Sequence, residues 1–350
     1  MSIGQEKKLW YDKICIFLVG GKMYKYLCYP GTLYAFLQYL LISEMDIENT
    51  LFIFSESMNN LVGDKFKCHK IILKGKKGSF FQKKKTEYEN YKKLNTVLAK
   101  NKNIKVYLQD HLKEAEYFLE KFNCYLLEDG TDSYNLTKIN RNQEKYKLQK
   151  YRIKPLRKLL GGSLKRYPRY GFSDKIIGIY MNGIFEIPDK IQNKVIHLDI
   201  KGLFNKLSLE KKEKLLNIFN LKLEVLNKME NKILLLTQPF SEDTVMTEEE
   251  KIRIYKDIQE SRKGSSFIIK SHPREQTDYQ KYFPEVYIMP KNFPAKLFLF
   301  VNTNLLEVIT VFSTAALNLK ENYKVTFLGT EKYPKLIERF GVIKNRSYHE

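Results

Sequence analysis

The chain has few of the residues that cross-link proteins or bind metal ions. Its 350 residues include 4 cysteines, Cys15, Cys28, Cys68 and Cys124, and no two of them form a CxxC pair. Three of them lie in apolar, strand-like stretches, so we expect free, buried thiols rather than disulfides or a zinc site. The 5 histidines show no metal-ligand spacing. The sequence therefore predicts a protein that folds without disulfides and without a structural metal.

Long apolar runs are also missing. None approaches the roughly 20 apolar residues of a membrane-spanning helix, and the first residues, MSIGQEKKLW, do not have the pattern of a secretory signal peptide. We therefore expect a cytoplasmic protein. An apolar content of 43% over 350 residues is typical of a globular chain and, at about 150 residues per domain, predicts two domains.

Acidic residues are scarce beside basic ones. The chain has 61 lysines and arginines against 40 acids, a formal net charge of +21. Residues 138–169 contain twelve basic residues and one acid, Glu144, and a second basic cluster spans Lys65–Lys85. Such patches attract nucleic acid or an anionic membrane surface, or they belong to a lysine-rich surface without a specific partner. No RRM, zinc-finger or helix-turn-helix signature accompanies them, so we expect no nucleic-acid partner.

What the chain does contain is a regular alternation of short apolar segments with amphipathic helical ones. The strands predicted in the first half are Ile14–Val19, Tyr26–Tyr29, Thr50–Phe54, Lys70–Leu73, Ile104–Leu108 and Cys124–Leu127. Those predicted in the second half are Ile176–Met181, Val195–Leu198, Ile233–Thr237, Phe267–Lys270, Val286–Met289, Val308–Phe312 and Val325–Leu328. Helices are predicted at Glu210–Phe219, Thr247–Arg262 and around Pro294–Phe300. Apolar strands that alternate with helices indicate parallel sheets covered on both faces.

The basic segment 138–170 interrupts this alternation. With its glycines and prolines, it reads as a helical connector or a loop between two halves. We therefore predict an α/β protein of two Rossmann-like domains, residues 1–170 and 171–350, facing each other across a cleft. In open sheets of this type, ligands bind beyond the carboxyl ends of the strands, so functional residues should come directly after strands.

A first polar cluster, Glu128, Asp129 and Gly130, follows the strand that ends at Leu127. Adjacent carboxylates repel each other, which favours proton uptake by one of them and suits acid–base chemistry. Gly130 permits a sharp turn close to a ligand. The alternative is an Asp-Gly turn with solvated acids.

A second cluster follows the predicted strand Ile233–Thr237. Gln238 and Pro239 come first, and Glu242 and Asp243 lie shortly after. A carboxylate on this loop could accept the proton of an attacking hydroxyl. The alternative is a helix N-terminus, but Thr247 and the glutamate three residues later already have capping-box spacing. We therefore expect Glu242 and Asp243 to have no structural duty.

Two further clusters contain groups suited to binding a phosphate. His272, Pro273 and Arg274 follow the strand in FIIKSHPRE, and Ser313 and Thr314 follow the strand in EVITVFSTAAL. A histidine can protonate or hydrogen-bond a leaving phosphate, an arginine can pair with an anion, and hydroxyls at a helix N-terminus can hold one. The alternatives are a surface turn at the first place and ordinary helix capping at the second.

In order along the chain, Glu-Asp-Gly, His-Pro and Ser-Thr before Ala-Ala resemble the motifs of bacterial sialyltransferases. With YLCYPGTLYAFLQYLLI, LLLTQP, SHPRE and FSTAAL, the chain is most similar to glycosyltransferase family 52, typified by the lipooligosaccharide sialyltransferases. The resemblance runs from about Lys25 to Gly329 through short motifs. It implies a GT-B fold with the acceptor side on the N-terminal domain and the donor nucleotide on the C-terminal one.

The resemblance also implies an activity. A family member transfers sialic acid from CMP-sialic acid to a terminal galactose of a lipooligosaccharide or capsular glycan, with inversion and without a metal or other cofactor. The absence of a D-x-D metal–nucleotide motif fits this. The catalytic candidates are Asp243, Asp129, Glu242 and His272. The substrate-binding candidates are Glu128, Gly130, Gln238, Pro273, Arg274, Ser313 and Thr314.

The identity of the general base stays open. Similarity to the lipooligosaccharide enzymes points to Asp243 or Glu242, and similarity to related sialyltransferases points to Asp129. The basic patches would bind peripherally to the anionic inner face of the bacterial cytoplasmic membrane. A GT-B hexosyltransferase that uses another nucleotide sugar, a basic nucleic-acid-binding protein and a homodimeric assembly also stay open.

Overall fold

The chain folds into two compact units, Met1–Leu203 and Phe204–Glu350. The computed structural model describes residues 22–63, 66–99, 101, 103–150, 154–183, 185–221, 223–300 and 304–348. The predicted strand Ile14–Val19, with Cys15, lies outside the described residues. The boundary between the units comes later than the predicted one at residue 170. The reason is that the strands at 176–181 and 195–197 pair with the first sheet instead of beginning the second.

The first unit is built around a seven-stranded sheet in the order β3-β2-β1-β4-β5-β6-β7, with every neighbouring pair parallel. Its strands are β1 Tyr26–Tyr29, β2 Thr50–Ser55, β3 His69–Leu73, β4 Lys105–Leu108, β5 Cys124–Leu127, β6 Ile176–Met181 and β7 Val195–His197. The central strands are apolar and buried because helices cover both faces of a parallel sheet.

The helices of the first unit are α1 Leu33–Ile42, α2 Glu56–Val62, α3 Phe80–Leu98, α4 Ala115–Lys121, α5 Leu136–Gln149, α6 Pro155–Leu159 and α7 Asp189–Gln192, and α8 Ile200–Lys206 spans the boundary between the units. Four of them begin at a short polar side chain. Thr32, Ser55, Ser79 and Asn135 each accept a backbone hydrogen bond as an N-cap. A 3₁₀ turn occupies Gly130–Tyr134. The predicted basic connector is therefore mostly helical, in α5 and α6.

The second unit contains a six-stranded sheet in the order β10-β9-β8-β11-β12-β13. Its strands are β8 Lys232–Leu236, β9 Ser266–Lys270, β10 Tyr287–Ile288, β11 Leu305–Thr310, β12 Lys324–Phe327 and β13 Arg346–Tyr348. All pairs are parallel except β12 with β13, which is antiparallel. The edge strand β13 is not predicted from the sequence because its three residues, RSY, are polar and largely exposed.

The helices of the second unit are α9 Leu209–Ile218, α10 Leu223–Asn227, α11 Glu248–Glu260, α12 Tyr279–Tyr282 and α13 Pro334–Phe340. The capping box predicted at Thr247 is confirmed, because its side chain and that of Glu250 exchange hydrogen bonds with each other's backbone. The segments Ala295–Leu299 and Thr314–Leu319 are 3₁₀ turns. The second of these follows Ser313, where the sequence predicts the N-terminus of a helix.

The described cysteines agree with the prediction. Cys28 and Cys124 are buried free thiols, and Cys68 is a partly buried one. Burial raises the pKa of the Cys68 thiol to about 12, so this side chain stays protonated and unreactive at neutral pH. Within the described ranges, no helix is long and apolar enough to cross a bilayer.

Candidate active site

The first unit gathers polar side chains beyond the carboxyl ends of three neighbouring strands. Gln109 and His111 follow β4, Glu128 and Asp129 follow β5, and Asn182 follows β6. Because the strands are parallel and adjacent, these ends lie at one edge of the sheet. The polar side chains that follow these three strands therefore lie at the same edge of the first sheet.

Glu128 is a buried carboxylate that fixes the loop after β5. Its Oε2 accepts hydrogen bonds from the Asn182 amide at 2.7 Å and from the Tyr134 hydroxyl at 3.1 Å. Its own backbone exchanges two hydrogen bonds with the Gln38 side chain on α1, at 2.9 and 3.1 Å. Glu128 thus holds three segments of the unit in place, which is a positioning role.

Asp129 is the more accessible acid of the pair, with 15% of its side chain exposed. Its Oδ1 accepts a hydrogen bond from Gln109 Nε2 at 2.8 Å, and its Oδ2 lies 3.3 Å from His111 Nε2. The His111 ring stacks on Tyr170, with centroids 6.0 Å apart. Gly130 begins the following 3₁₀ turn with φ +55°, a conformation that other residues adopt reluctantly. The turn leaves the Asp129 carboxylate oriented by an amide and an imidazole.

In the second unit, the loops after β8 and β11 are joined by Gln238. Its Oε1 accepts a hydrogen bond from the Phe312 amide at 3.0 Å, and its own amide donates to the Tyr255 hydroxyl at 2.8 Å. Phe312 directly precedes Ser313, so Gln238 places the Ser-Thr segment relative to the β8 loop. The side chain of Gln238 is therefore used inside the fold.

Glu242 has a structural duty, so the prediction that it has none is wrong. Its Oε1 accepts a hydrogen bond from the Gln276 amide at 2.6 Å, and its Oε2 lies 3.1 Å from the ammonium of Lys251. Burial raises the pKa of this carboxyl, but hydrogen bonds from the Gln276 amide, from its own amide and from Lys251 outweigh burial and lower it to about 2. Such a carboxylate is a weak base.

Lys251 is the cation at the centre of this network. Its side chain is fully buried on α11, and its ammonium also pairs with Glu248 at 3.0 Å and with the Thr277 hydroxyl. Glu275, also fully buried, lies 3.9 Å from the same ammonium. A buried charge of this kind persists only when its hydrogen bonds are satisfied. The network links α11 to the segment that follows His272.

His272 is held by both its backbone and its ring. Its amide donates to Glu275 Oε1, and its Nδ1 accepts a hydrogen bond from the Arg274 amide at 3.2 Å. Since Nδ1 is an acceptor, the proton of the neutral ring is assigned to Nε2. Burial, followed by the charges of Arg274 and Lys270, lowers the pKa of His272 to about 4. At neutral pH the ring is therefore an uncharged Nε2–H donor.

Arg274 forms a bidentate ion pair with Asp243, with N–O distances of 2.6 and 3.0 Å. The side chains are 62% and 34% exposed, so this pair lies at the surface of the unit. Pro273, between Arg274 and His272, is exposed. The loops after β8 and β9 meet at this contact between Arg274 and Asp243.

Ser313 caps the 3₁₀ turn Thr314–Leu319 through its backbone position alone. Its amide donates to Thr310 Oγ1 at 3.0 Å, and its side chain makes no capping hydrogen bond within this described segment. Ordinary side-chain capping, the alternative considered for this residue, is thus not what the Ser313 hydroxyl does. Thr314 is exposed at the start of the turn.

The structure also identifies site residues that the sequence reading does not single out. Gln109 and His111 come directly after β4, so the same rule that selected Asp129 selects them too. Lys251 gives no such signal, because a lysine in the charged run TEEEKIRIYKD looks solvent-exposed. Among the residues described, no group of three or more His, Cys, Asp or Glu side chains is arranged to bind a metal.

The chain is similar to a family model, to a curated protein and to solved structures. The model of glycosyltransferase family 52 matches residues 48–332. A protein of Haemophilus influenzae strain Rd, described as "Uncharacterized protein", is 33% identical over 240 residues, which cover 68% of this chain and 72% of that protein. The GT-B domain (residues 113–497) of a sialyltransferase from Photobacterium damselae superposes with a TM-score of 0.50 at 14% identity, covering 85% of this chain and 88% of that one.

A second sialyltransferase structure, from Photobacterium damsela, has a TM-score of 0.51 at 13% identity, covering 86% of this chain and 74% of that one. At these identities, the likeness establishes the fold and nothing further. It confirms the predicted α/β fold of the GT-B type.

Proposed function

The chain belongs to glycosyltransferase family 52, and from that premise we propose that it is an inverting, metal-independent sialyltransferase with CMP-sialic acid as its donor. Membership of the family establishes a glycosyltransferase. The sialyl specificity is supported by the order of the Glu-Asp-Gly, His-Pro and Ser-Thr motifs and by the sialyltransferases that share the fold.

The observation that carries the proposal is the state of His272. A neutral imidazole with its proton on Nε2, at the carboxyl end of β9, is suited to donate a hydrogen bond to a leaving phosphate. When CMP departs, negative charge develops on its phosphate and positive charge on the sugar. His272 Nε2–H stabilises that phosphate oxygen. The negative charge that develops on the phosphate in turn raises the proton affinity of the ring.

The rest of the second unit binds the donor. The hydroxyls of Ser313 and Thr314 and nearby amides hold the phosphate, and Arg274, whose side chain is paired with Asp243, holds the His272 ring through its backbone amide. Gln238 keeps the Ser-Thr segment in position. Hydrogen-bond donors that are fixed before the reaction stabilise developing charge without reorganising. These donors therefore do what a metal ion does in other transferases.

We assign the general base to Asp129 of the first unit, which is the acceptor-side domain in this proposal. Asp129 is partly exposed and oriented by Gln109 and His111. Glu242, with a pKa of about 2, is the poorest base of the candidates. Asp243 is neutralised by Arg274 and stands second, since similarity to the lipooligosaccharide enzymes favours it. In-line attack by the deprotonated acceptor hydroxyl then inverts the anomeric centre.

The proposed acceptor is a terminal galactose on a lipooligosaccharide or capsular glycan. The net charge of +21 supports peripheral attachment to the anionic inner face of the bacterial cytoplasmic membrane. Vesicle binding that is the same on anionic and neutral lipid, or that does not respond to salt, argues against attachment. A homodimer is the assembly to be tested by light scattering.

A donor screen tests the activity. Binding of CMP, UDP and GDP is compared by calorimetry, and transfer from CMP-sialic acid to lactose is followed with linkage analysis of the product. We expect CMP to bind most tightly and a sialylated product to form. Clear preference for UDP or GDP supports the alternative, a GT-B hexosyltransferase, and ends the sialyl proposal.

A further inference from the structure

A cavity of about 200 Å³ in the first unit is lined mainly by basic side chains. The six cations are Lys76, Lys113, Lys154, Arg157, Arg166 and Arg169. Two carboxylates, Glu87 and Glu116, complete the charged lining, which leaves an excess of four positive charges. This cavity is not part of the carboxylate cluster around Asp129 described above.

The two carboxylates are already used by three of the cations. Glu87 pairs with Lys76 at 3.0 Å, and Glu116 pairs with Lys154 and Arg157. Only 12% of the Lys76 side chain and 17% of that of Lys154 are exposed, so solvent screens these charges poorly. Their pKa values are lowered, chiefly by burial. The cavity lining therefore places several positive charges close together in a region where solvent screens them poorly.

The other three cations, Lys113, Arg166 and Arg169, form no ion pair with any residue in the described part of the chain. The Nε of Arg166 is moreover buried without a hydrogen-bond partner among those residues. A buried guanidinium donor that lacks an acceptor is costly, and such groups are normally satisfied by a partner or a ligand. Because cations outnumber carboxylates in the lining, an acceptor that carries negative charge suits this place best.

We propose that this cavity binds a phosphate group carried by the glycan acceptor. A phosphate has about two negative charges and several acceptor oxygens, so it can satisfy Arg166 and offset about half of the excess charge in one site. Arginine forks and lysine ammonium groups together are the usual protein partners of such a dianion.

The position of the cavity relative to Asp129 selects the acceptor as the source of the phosphate. Lys113 lies two residues after His111, which contacts Asp129. Arg169 precedes Tyr170, whose ring stacks on His111 and whose amide donates to Asp110 at 2.9 Å. One short segment, residues 109–113, therefore connects the cavity to the proposed base. The acceptor assignment rests on the proposed function, whereas anion binding by the cavity does not.

The first experiment measures binding of inorganic phosphate and pyrophosphate to the full chain by calorimetry at low salt. We expect saturable binding that weakens about tenfold or more in Arg166→Gln, because one charge-assisted hydrogen bond is lost. Arg141→Gln, which removes the same charge from an exposed position on α5, is the matched control and should bind like the wild type. Lys113→Gln, also at an exposed position, supplies a second variant in case Arg166→Gln folds poorly.

The second experiment compares a phosphorylated acceptor glycan with the same glycan after removal of its phosphate. In Arg166→Gln, KM for the phosphorylated acceptor should rise about tenfold while kcat and KM for the phosphate-free acceptor stay at wild-type values. Phosphate binding that is unchanged in Arg166→Gln and Lys113→Gln, or lost equally in Arg141→Gln, overturns the site.

Loss of phosphate binding with equal KM values for both acceptors overturns the acceptor as the source and leaves free phosphate as the ligand. If the wild type transfers no sialic acid at all, the proposed function fails, and the calorimetry still decides whether the cavity binds phosphate.

Discussion

Each unit contains two acids after a strand of a largely parallel sheet, and the two pairs are held in different ways. In the first unit, Glu128 and Asp129 accept hydrogen bonds from amides and a hydroxyl, and an imidazole nitrogen lies 3.3 Å from Asp129. In the second, Glu242 and Asp243 are paired with an ammonium and a guanidinium. The same sequence pattern therefore places one pair among amide and hydroxyl donors and the other beside fixed cations.

In both pairs, one acid is held inside the fold and the other is more accessible. The glutamate in each is tied into the fold, Glu128 through α1 and β6 and Glu242 through Lys251 and the Gln276 amide. The aspartate in each is more exposed and makes fewer contacts. A pair of acids after a strand thus contains one residue for positioning and one available for chemistry, and the neighbours of the second decide which chemistry it suits.

Replacing each aspartate tests most directly whether the two pairs differ in function. Asp129→Asn removes the proposed base and should lower kcat by about 10³-fold, within the range for general acid–base catalysis. Asp243→Asn removes only the partner of Arg274 and should cost about tenfold. Steady-state kinetics with CMP-sialic acid measure both, with thermal unfolding as the check on folding. The opposite order of effects transfers the role of base to Asp243 and removes the contrast between the units.

Replacing His272 tests the second unit, which binds the nucleotide-sugar donor in the proposed function. His272→Gln should lower kcat by about 10²-fold, since one donor to developing charge is lost, while the melting temperature stays near that of the wild type. His111→Gln, the matched change in the first unit, should affect kcat less, because His111 acts through Asp129. Near-normal turnover in His272→Gln removes this residue from the chemistry.

The sequence predicts the framework of both units better than their boundary. Strands such as Tyr26–Tyr29 and Ile176–Met181 are predicted with the bounds they have in the structure, because a buried parallel strand is a continuous apolar run. The same property hides the boundary, since β6 has no local feature to show which sheet it joins. Strand β13 is missed because an exposed edge strand carries no apolar pattern.

The candidate site is predicted in the same uneven manner. The post-strand rule locates Asp129 and His272, because topology alone brings strand ends to one edge of a sheet. It cannot reveal that Glu242 is committed to Lys251. The ion pair of Glu242 with Lys251 requires that this lysine be buried. Its burial results from packing of α11 against the loop after β9, which is a long-range contact that a local sequence pattern does not predict.

Neutralising the two glutamates tests their positioning roles. Glu242→Gln leaves Lys251 with a weaker set of partners and should lower the free energy of unfolding by about 3 kcal/mol, the lower end for a broken buried pair. Glu128→Gln keeps a carbonyl acceptor for the Asn182 amide and should cost about 1 kcal/mol. Urea unfolding measures both, and Glu249→Gln, exposed in the first turn of α11, is the control for loss of an acid. Equal costs for Glu128→Gln and Glu242→Gln mean that cations hold the second site no more firmly than neutral donors hold the first.

The last comparison concerns the pH dependence of stability. The pKa of His272 falls from 6.5 to about 4 on folding, so between these values the unfolded chain takes up a proton that the folded chain does not. The contribution of His272 to stability is therefore complete above pH 6.5 and is lost as the pH falls towards 4. His272→Gln removes this contribution, and its melting temperature should fall less than that of the wild type over this interval.

Glu242, with a pKa lowered to about 2, acts in the same direction at lower pH, so its effect stays in both proteins and separates from that of the histidine. Parallel pH profiles for the two proteins mean that the ring titrates as it does in the unfolded chain, and the neutral Nε2–H donor on which the second unit depends is then not present between pH 4 and 6.5.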